Sequence, residues 1–285
     1  MSNTAILSLN QWRETGTWVD VDGQRIFVSV QGEGPPLLVL HGFPTASYDY
    51  ARLAPLLSSH YRLILFDYLG FGFSDKPVTH HYSLFEQADI AQAICKHYGV
   101  EQVSILTHDM GNSISLELLR RGSPVVDQVF MLNGSVLLKY YRPLITQRLL
   151  LNPVIGPLMT RLRLVNRRAF GQQFGSLFAQ RPPDAEMDDF WALINHHDGA
   201  RIYHRLIRYL NERKVHEYAW LDALQAHSAP LTVIWGQRDP VSVRQIAQAV
   251  LERRPDAAYF PLENIGHYPQ WEAPEQVAEI LLNQQ

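Results

Sequence analysis

The stretch Gln102-Val103-Ser104-Ile105-Leu106-Thr107-His108-Asp109-Met110-Gly111-Asn112-Ser113 decides how this chain is read. A short β-rich apolar run passes directly into a helix-forming run, with a single carboxylate, Asp109, at the junction. A sharp strand-to-helix turn projects its tip side chain from the carboxyl end of a strand, and it wants small residues two positions either side because the backbone crowds there. Gly111 meets that demand and Thr107 meets it poorly. A carboxylate, with a reference pKa of ~3.9, is ionised at neutral pH and attacks without help from a base. It is a weak nucleophile, matched to an sp3 carbon that carries a leaving group, such as a carbon-halogen bond or a strained epoxide. The product is an alkyl ester on the protein, which must then be hydrolysed. The bland alternative is a buried strand followed by an ordinary Asp N-cap.

Two further loops supply partners for this carboxylate. The apolar run 231–235 ends in Gly236-Gln237-Arg238-Asp239-Pro240, and Glu263-Asn264-Ile265-Gly266-His267-Tyr268-Pro269 places a histidine ahead of a final helix. In the order nucleophile, acid, histidine, His267 takes a proton from the water that attacks the Asp109 ester, while Asp239 fixes the imidazole tautomer. Upstream, the run 37–40 enters His41-Gly42-Phe43-Pro44-Thr45. A glycine there lets the backbone turn close to the site, so the Phe43 and Met110 amides are expected to form an oxyanion hole worth roughly 3 to 4 kcal/mol per donor. Each of these loops alone reads as an ordinary turn, with Phe43-Pro44 open to a cis bond. Together, in this chain order, they favour a site.

The rest of the chain fits the same plan. Asp22-Gly23 marks a hairpin between 17–20 and 25–29, followed by strands at 37–40, 63–66, 103–106, 128–132, 231–235 and 258–261. Helical spacing occupies 83–98, 112–121, 243–253 and 276–282. The alternation predicts an α/β fold, a mostly parallel central sheet with helices on both faces and reactive residues at the strands' carboxyl ends. Between 137 and 222 the pattern turns helical, broken by Pro143, Pro153, Pro157 and Pro182-Pro183, with no strand evident. The expected division is a core of 1–136 and 223–285 with an inserted helical cap at 137–222. The cap carries 13 Lys and Arg against 8 Asp and Glu, a charge of +5, leaving −8 for the remainder of a −3 chain. A basic lid favours anionic ligands or a membrane surface. Solvated faces of amphipathic helices are the simpler account.

Composition bounds the remaining classes. With 285 residues, 46% hydrophobic and 19% charged, the chain can bury a large core. The charge of −3 argues against nucleic acid, and no apolar stretch approaches the ~18 residues of an integral membrane span. No leader is evident in residues 1–10, and the lone Cys95 suits a reducing cytoplasm. Neither His80-His81 nor His196-His197-Asp198 has further His or Cys at a ligand spacing, so no metal is expected, and no cofactor. A small-molecule substrate and a monomer or homodimer are the expected partners.

Taken together, His41 to Thr45, Asp67-Tyr68-Leu69-Gly70-Phe71-Gly72-Phe73-Ser74-Asp75-Lys76-Pro77, His108 to Gly111 and the Asp239 and His267 loops resemble the epoxide hydrolase and haloalkane dehalogenase branch of the α/β-hydrolase superfamily. Within that branch the chain is similar to the mesoderm-specific transcript proteins and their bacterial relatives, which also match at His80 to Ser83, 195–199 and 209–213. The resemblance implies the α/β-hydrolase fold, an Asp109-His267-Asp239 triad and a helical cap. It also implies substrate contacts from His41, His108, Tyr209, Asn195 and Tyr203. Haloalkane dehalogenases carry a Trp after the nucleophile and usually an Asn at the place of Phe43 to hold the halide. Here Met110 and Phe43 stand there, and neither side chain donates a hydrogen bond. Fluoroacetate dehalogenases pair the nucleophile with an Arg that this chain lacks. Epoxide hydrolases need cap tyrosines to protonate the leaving alkoxide; Tyr209 is the first candidate, with Tyr203, Tyr140 and Tyr141 behind it. A lactone or ester hydrolase is the alternative. A ligand receptor without turnover is disfavoured, since binding alone does not need the set.

Overall fold

The computed structural model describes residues 7–284, so the expectation about a leader falls in part on residues 1–6, outside the described residues. Eight strands form one sheet: β1 Gly16–Val21, β2 Gln24–Gln31, β3 Pro36–Leu40, β4 Arg62–Phe66, β5 Gln102–Thr107, β6 Val125–Met131, β7 Leu231–Gly236 and β8 Ala258–Leu262. Their order is β1-β2-β4-β3-β5-β6-β7-β8. The first two pairings, β1 with β2 and β2 with β4, are antiparallel, and all the others are parallel. Asp22 and Gly23 turn the β1-β2 hairpin with φ of 51° and 77°, the left-handed pair that a two-residue turn needs.

Parallel strands covered on both faces read as continuous apolar runs, and β3, β5 and β7 do so because Leu37, Leu38, Leu40, Ile105, Leu106, Val233 and Ile234 are all fully buried. Right-handed crossovers put Leu84–His97, Met110–Arg121, Tyr209–Ala226 and Arg244–Arg253 on one face, packed in succession. On the other face Ala54–Leu57 packs against Pro274–Asn283. Local chemistry sets the ends. The Ser83 hydroxyl accepts from the Phe85 amide to start Leu84–His97, and Gly122, at φ 67°, closes Met110–Arg121.

Two features were absent from the sequence reading. A helix at Leu9–Glu14 precedes the hairpin, started by Ser8 and Gln11 in a reciprocal capping box and anchored by the fully buried Trp12. Short helical turns at Ser47–Tyr50 and Ala54–Leu57 fill the β3-β4 connection. Between β6 and β7 the chain forms the helices Ile145–Leu151, Ile155–Arg161, Arg167–Gly175, Asp184–Asn195, Tyr203–Leu206 and Tyr209–Ala226 and adds no strand to the sheet. The last of these runs unbroken through position 222.

Candidate active site

β5 ends at Thr107 and the next helix begins at Met110, which leaves Asp109 on the turn with φ 48° and ψ −107°. A non-glycine residue in such a conformation persists only where its surroundings over-determine it. Here the Asp109 amide donates to the Asn133 carbonyl at 2.8 Å and the His108 amide donates to the Leu40 carbonyl at 3.1 Å. Glycines admit the crowded backbone. A Cβ on Gly111 would lie 2.6 Å from the Leu40 oxygen, and one on Gly134 would lie 2.7 Å from the Asp109 Cα. Thr107 is tolerated where a glycine was expected, because the tight approach to Asp109 falls on Gly134 at the end of the neighbouring strand.

The two oxygens of Asp109 have different surroundings. Oδ1 accepts from the Phe43 amide at 3.0 Å, and Oδ2 lies 3.8 Å from His267 Nε2. On its other side His267 Nδ1 donates to Asp239 Oδ2 at 2.6 Å, which leaves Nε2 with its lone pair. The 3.8 Å separation is too long for a hydrogen bond, so Nε2 is not committed to Asp109. Burial opposes charge on His267, but the Asp239 carboxylate, with a smaller contribution from Asp109, outweighs it and raises the imidazole pKa. Asp239 is fixed in turn: Oδ1 accepts from the Val241 and Ser242 amides at 2.8 and 2.9 Å, and Oδ2 also accepts from Asn133 Nδ2 at 2.9 Å.

The Gly42-Phe43-Pro44 loop brings the Phe43 amide to Asp109 through a cis Phe43-Pro44 bond. Met110, first in its helix, has an amide with no partner within the helix. Both expected donors therefore flank Asp109. The loop is held from below by His41, whose Nε2 accepts from the Tyr68 amide at 3.1 Å while Nδ1 donates to the Gly42 carbonyl at 2.9 Å. Burial lowers the His41 pKa to about 3, against a small opposing pull from that carbonyl, and keeps the ring neutral.

A cavity opens above these groups. Asp109, His267 and Phe43 form its floor, and its walls include Tyr141, Leu144, Gln147, Leu150, Met159, Phe170, Leu177 and Tyr203. Of the five residues expected to touch substrate, only Tyr203 lines it; its ring lies 5.1 Å from that of Phe43. His41 and His108 are corrected to supporting residues, because both are fully buried and bound to backbone. His108 Nε2 donates to the His267 carbonyl at 2.7 Å, and burial pushes its pKa well down. Asn195 is corrected as well: it ends a helix with its side chain exposed, away from the cavity. Tyr209 sits behind Phe43, with the Arg213 guanidinium 4.9 Å from its ring centre, and does not line the cavity. Tyr141 does, and its hydroxyl donates to Gln147 Oε1 at 2.8 Å. Burial first, and then the Asp109 charge, raises the Tyr141 pKa, so the phenol stays protonated.

Several supporting residues escaped the sequence reading. Asn133 ties the elbow to the acid loop, since its carbonyl holds the Asp109 amide and its side chain holds both Asp239 and Gly236. Its signal was a polar Asn-Gly pair directly after the apolar end of β6, where such sheets place functional groups. Arg213, fully buried, braces the elbow by donating from Nε to Ser113 Oγ at 2.9 Å and from Nη2 to the Asp109 carbonyl at 3.4 Å. Glu272 accepts from the amides of Ala179, Gly266 and Tyr268 and so clamps the His267 loop. Among the described residues no group of three or more His, Cys, Asp or Glu is arranged to hold a metal.

Comparison with known proteins agrees with this architecture. Residues 35–144 match the alpha/beta hydrolase fold family. The chain is 39% identical to a putative hydrolase, LipZ, of Mycobacterium tuberculosis, over 97% of each protein. It is 35% identical to the human mesoderm-specific transcript homolog protein, covering 94% of this chain and 84% of that one. Among solved structures it superposes on the haloalkane dehalogenase DbeA of Bradyrhizobium elkani with a TM-score of 0.84 at 21% identity, over 94% of this chain and 96% of that one, a likeness of fold alone.

Proposed function

The chain belongs to the α/β-hydrolase family and is a hydrolase, and we propose that it works without a cofactor through a covalent ester on Asp109, with an epoxide as the leading substrate class. The observation that carries this reading is the division of labour between the Asp109 oxygens. Oδ1 is already held by the Phe43 amide, and Oδ2 is left toward His267 and the cavity. Oδ2 attacks a ring carbon, the carbon-oxygen bond breaks, and the departing alkoxide takes a proton from a phenol on the cavity wall. Tyr141 fits that role better than Tyr209, since it lines the cavity within electrostatic reach of Asp109. The unpartnered hydroxyl of Tyr203 is a second group on the same wall.

Hydrolysis follows. His267 Nε2 takes a proton from water, the hydroxide adds to the ester carbonyl carbon, and the resulting oxyanion at Oδ1 stays on the Phe43 amide with Met110 as second donor. Collapse breaks the bond from Cγ to the alkyl oxygen, which takes the proton of the newly added hydroxyl, and the His267 imidazolium returns its proton to the phenolate, so the diol leaves and Asp109, His267 and the phenol are all regenerated. The insert 137–222 serves as the cap, supplying the apolar wall that keeps bulk water from the ester. An ester or lactone substrate would need the same amides for its own oxygen. The Phe43 amide already donates to Asp109 Oδ1, which favours the alkyl-ester route. A haloalkane is disfavoured because neither Met110 nor Phe43 offers a side-chain donor to a halide.

His267→Gln tests the scheme. The first half-reaction should proceed and the second should stall, so mass spectrometry of the Asp109 peptide should show a stable adduct of the substrate mass. Unmodified peptide after exposure to an epoxide that the parent turns over would refute covalent catalysis.

A further inference from the structure

Eleven large hydrophobic side chains are exposed among the described residues, and seven of them fall within 145–164: Ile145, Leu149, Val154, Ile155, Leu158, Leu162 and Leu164. Ile145, which opens the first of two adjacent short helices, and Val154, in the turn between them, are 75% and 74% exposed, high values for aliphatic side chains. The same stretch has an unusual charge pattern. Residues 128–183 contain eight Lys and Arg and no Asp or Glu, so all 28 carboxylate residues lie elsewhere. Some of these cations already have carboxylate partners at the surface: Arg167 meets Asp188, Arg181 meets Asp184 and Arg163 reaches Asp198 at 3.4 Å. Arg148 and Arg161 are exposed beside the aliphatic side chains and have no ion-pair partner among the described residues.

We propose that the helices Ile145–Leu151 and Ile155–Arg161, with the turn that follows them, form a face that docks on an anionic lipid surface. Aliphatic side chains enter the interface while the arginines meet lipid phosphates, the combination that holds a protein in the plane of a bilayer. Among the described residues no helix is long and apolar enough to cross a membrane, so the contact is peripheral. Charge decides against a second copy as the occupant. A twofold contact through this face would set Arg148 and Arg161 against their own counterparts with no carboxylate in the stretch to relieve them. Docking also has a consequence for the cavity, because Leu144, Gln147, Met159 and Leu164, which wall it, belong to the same stretch. An apolar substrate dissolved in the lipid reaches the site without crossing bulk water.

Flotation with vesicles tests this. The purified chain should float with phosphatidylcholine vesicles containing phosphatidylglycerol, should not float with phosphatidylcholine alone, and should be released by high salt. Arg148→Glu with Arg161→Glu, and separately Val154→Glu with Leu162→Glu, should each lower the partition coefficient at least about tenfold. Val215→Glu, at a 73% exposed site on a different helix, should leave it unchanged. Circular dichroism verifies that the variants are folded. The proposal is overturned if the parent fails to float with the anionic vesicles, or if both double variants bind as well as it does. It is equally overturned if lipid-free parent is a dimer that Val154→Glu with Leu162→Glu converts to monomer, which would assign the face to a second copy.

Discussion

On the floor of the cavity the polar groups are held by specific pairs: Asp109 by Phe43 and Asn133, Asp239 by Val241, Ser242, Asn133 and His267, and the His267 carbonyl by His108. On the opposite wall Leu144, Leu150, Met159 and Phe170 present mostly aliphatic or aromatic surface, and the Tyr141-Gln147 pair is one of few polar contacts. The difference follows from what each side must do. Bond making at Asp109, as proposed, requires placement to well under 1 Å, which fixed backbone donors at strand ends provide. Holding an apolar substrate away from water asks only for contiguous apolar area, which many side chains supply interchangeably. Substitutions in the floor should therefore act abruptly and those in the wall by degrees.

The largest test of that contrast is Asp239→Asn, which keeps the shape and removes the charge that fixes the His267 tautomer. Turnover should fall about 10⁴-fold, as loss of the acidic member does in comparable triads. The pH profile adds a signed check. His267 must be neutral to accept a proton, and its pKa is raised by Asp239 against the effect of burial. In the parent the acidic limb of activity should therefore lie above the ordinary histidine range, with activity lost as pH falls through it. In Asp239→Asn burial is left unopposed by that carboxylate, and the limb of the residual activity should move to lower pH. An unmoved limb would detach His267 from the mechanism.

Next in size is Tyr141→Phe. Removing a general acid costs about 10² to 10⁴ in rate, and single-turnover kinetics with an epoxide should place the loss in ester formation. Tyr209→Phe should leave that step near the parent rate. The reverse outcome would restore Tyr209 as the donor and break the assignment of the wall. Smallest is Gly134→Ala. Its new methyl meets Asp109 backbone at 2.7 Å, so the elbow must shift. Turnover should drop about 10²-fold for a displacement near 1 Å, with a stability loss of about 1–3 kcal/mol in urea unfolding. Parent-like values in both measurements would show that the floor is less constrained than its geometry implies.

The loops that meet at the floor of the cavity were legible because each obeys a local rule. Asp109 follows an apolar run and precedes a helix, Asp239 and His267 sit at the ends of later runs, and Gly42 announces a close backbone approach. The Asp22-Gly23 turn and the β-strands were readable for similar reasons, since alternation and turn chemistry act over a few residues. Supporting residues were not. Nothing near Asn133 in the chain reveals that its side chain spans from Gly236 to Asp239, and nothing near Arg213 reveals that it reaches the Asp109 carbonyl. The mistaken substrate contacts have separate causes. His108 directly precedes Asp109, yet its side chain points into the protein, because successive residues at a strand end face opposite ways, and His41 is buried because both its ring nitrogens are taken up by backbone.

By itself the sequence determined the family, the strand-helix alternation and the position of Asp109 on a strand-to-helix turn, because periodicity, turn residues and motif spacing are properties of neighbouring positions. Only the tertiary structure decided which tyrosine faces the cavity, which histidine lines it and which Asp109 oxygen is held. Those outcomes depend on side chains brought together from segments up to 159 residues apart, as in the His108 to His267 contact, and local sequence carries no record of such meetings.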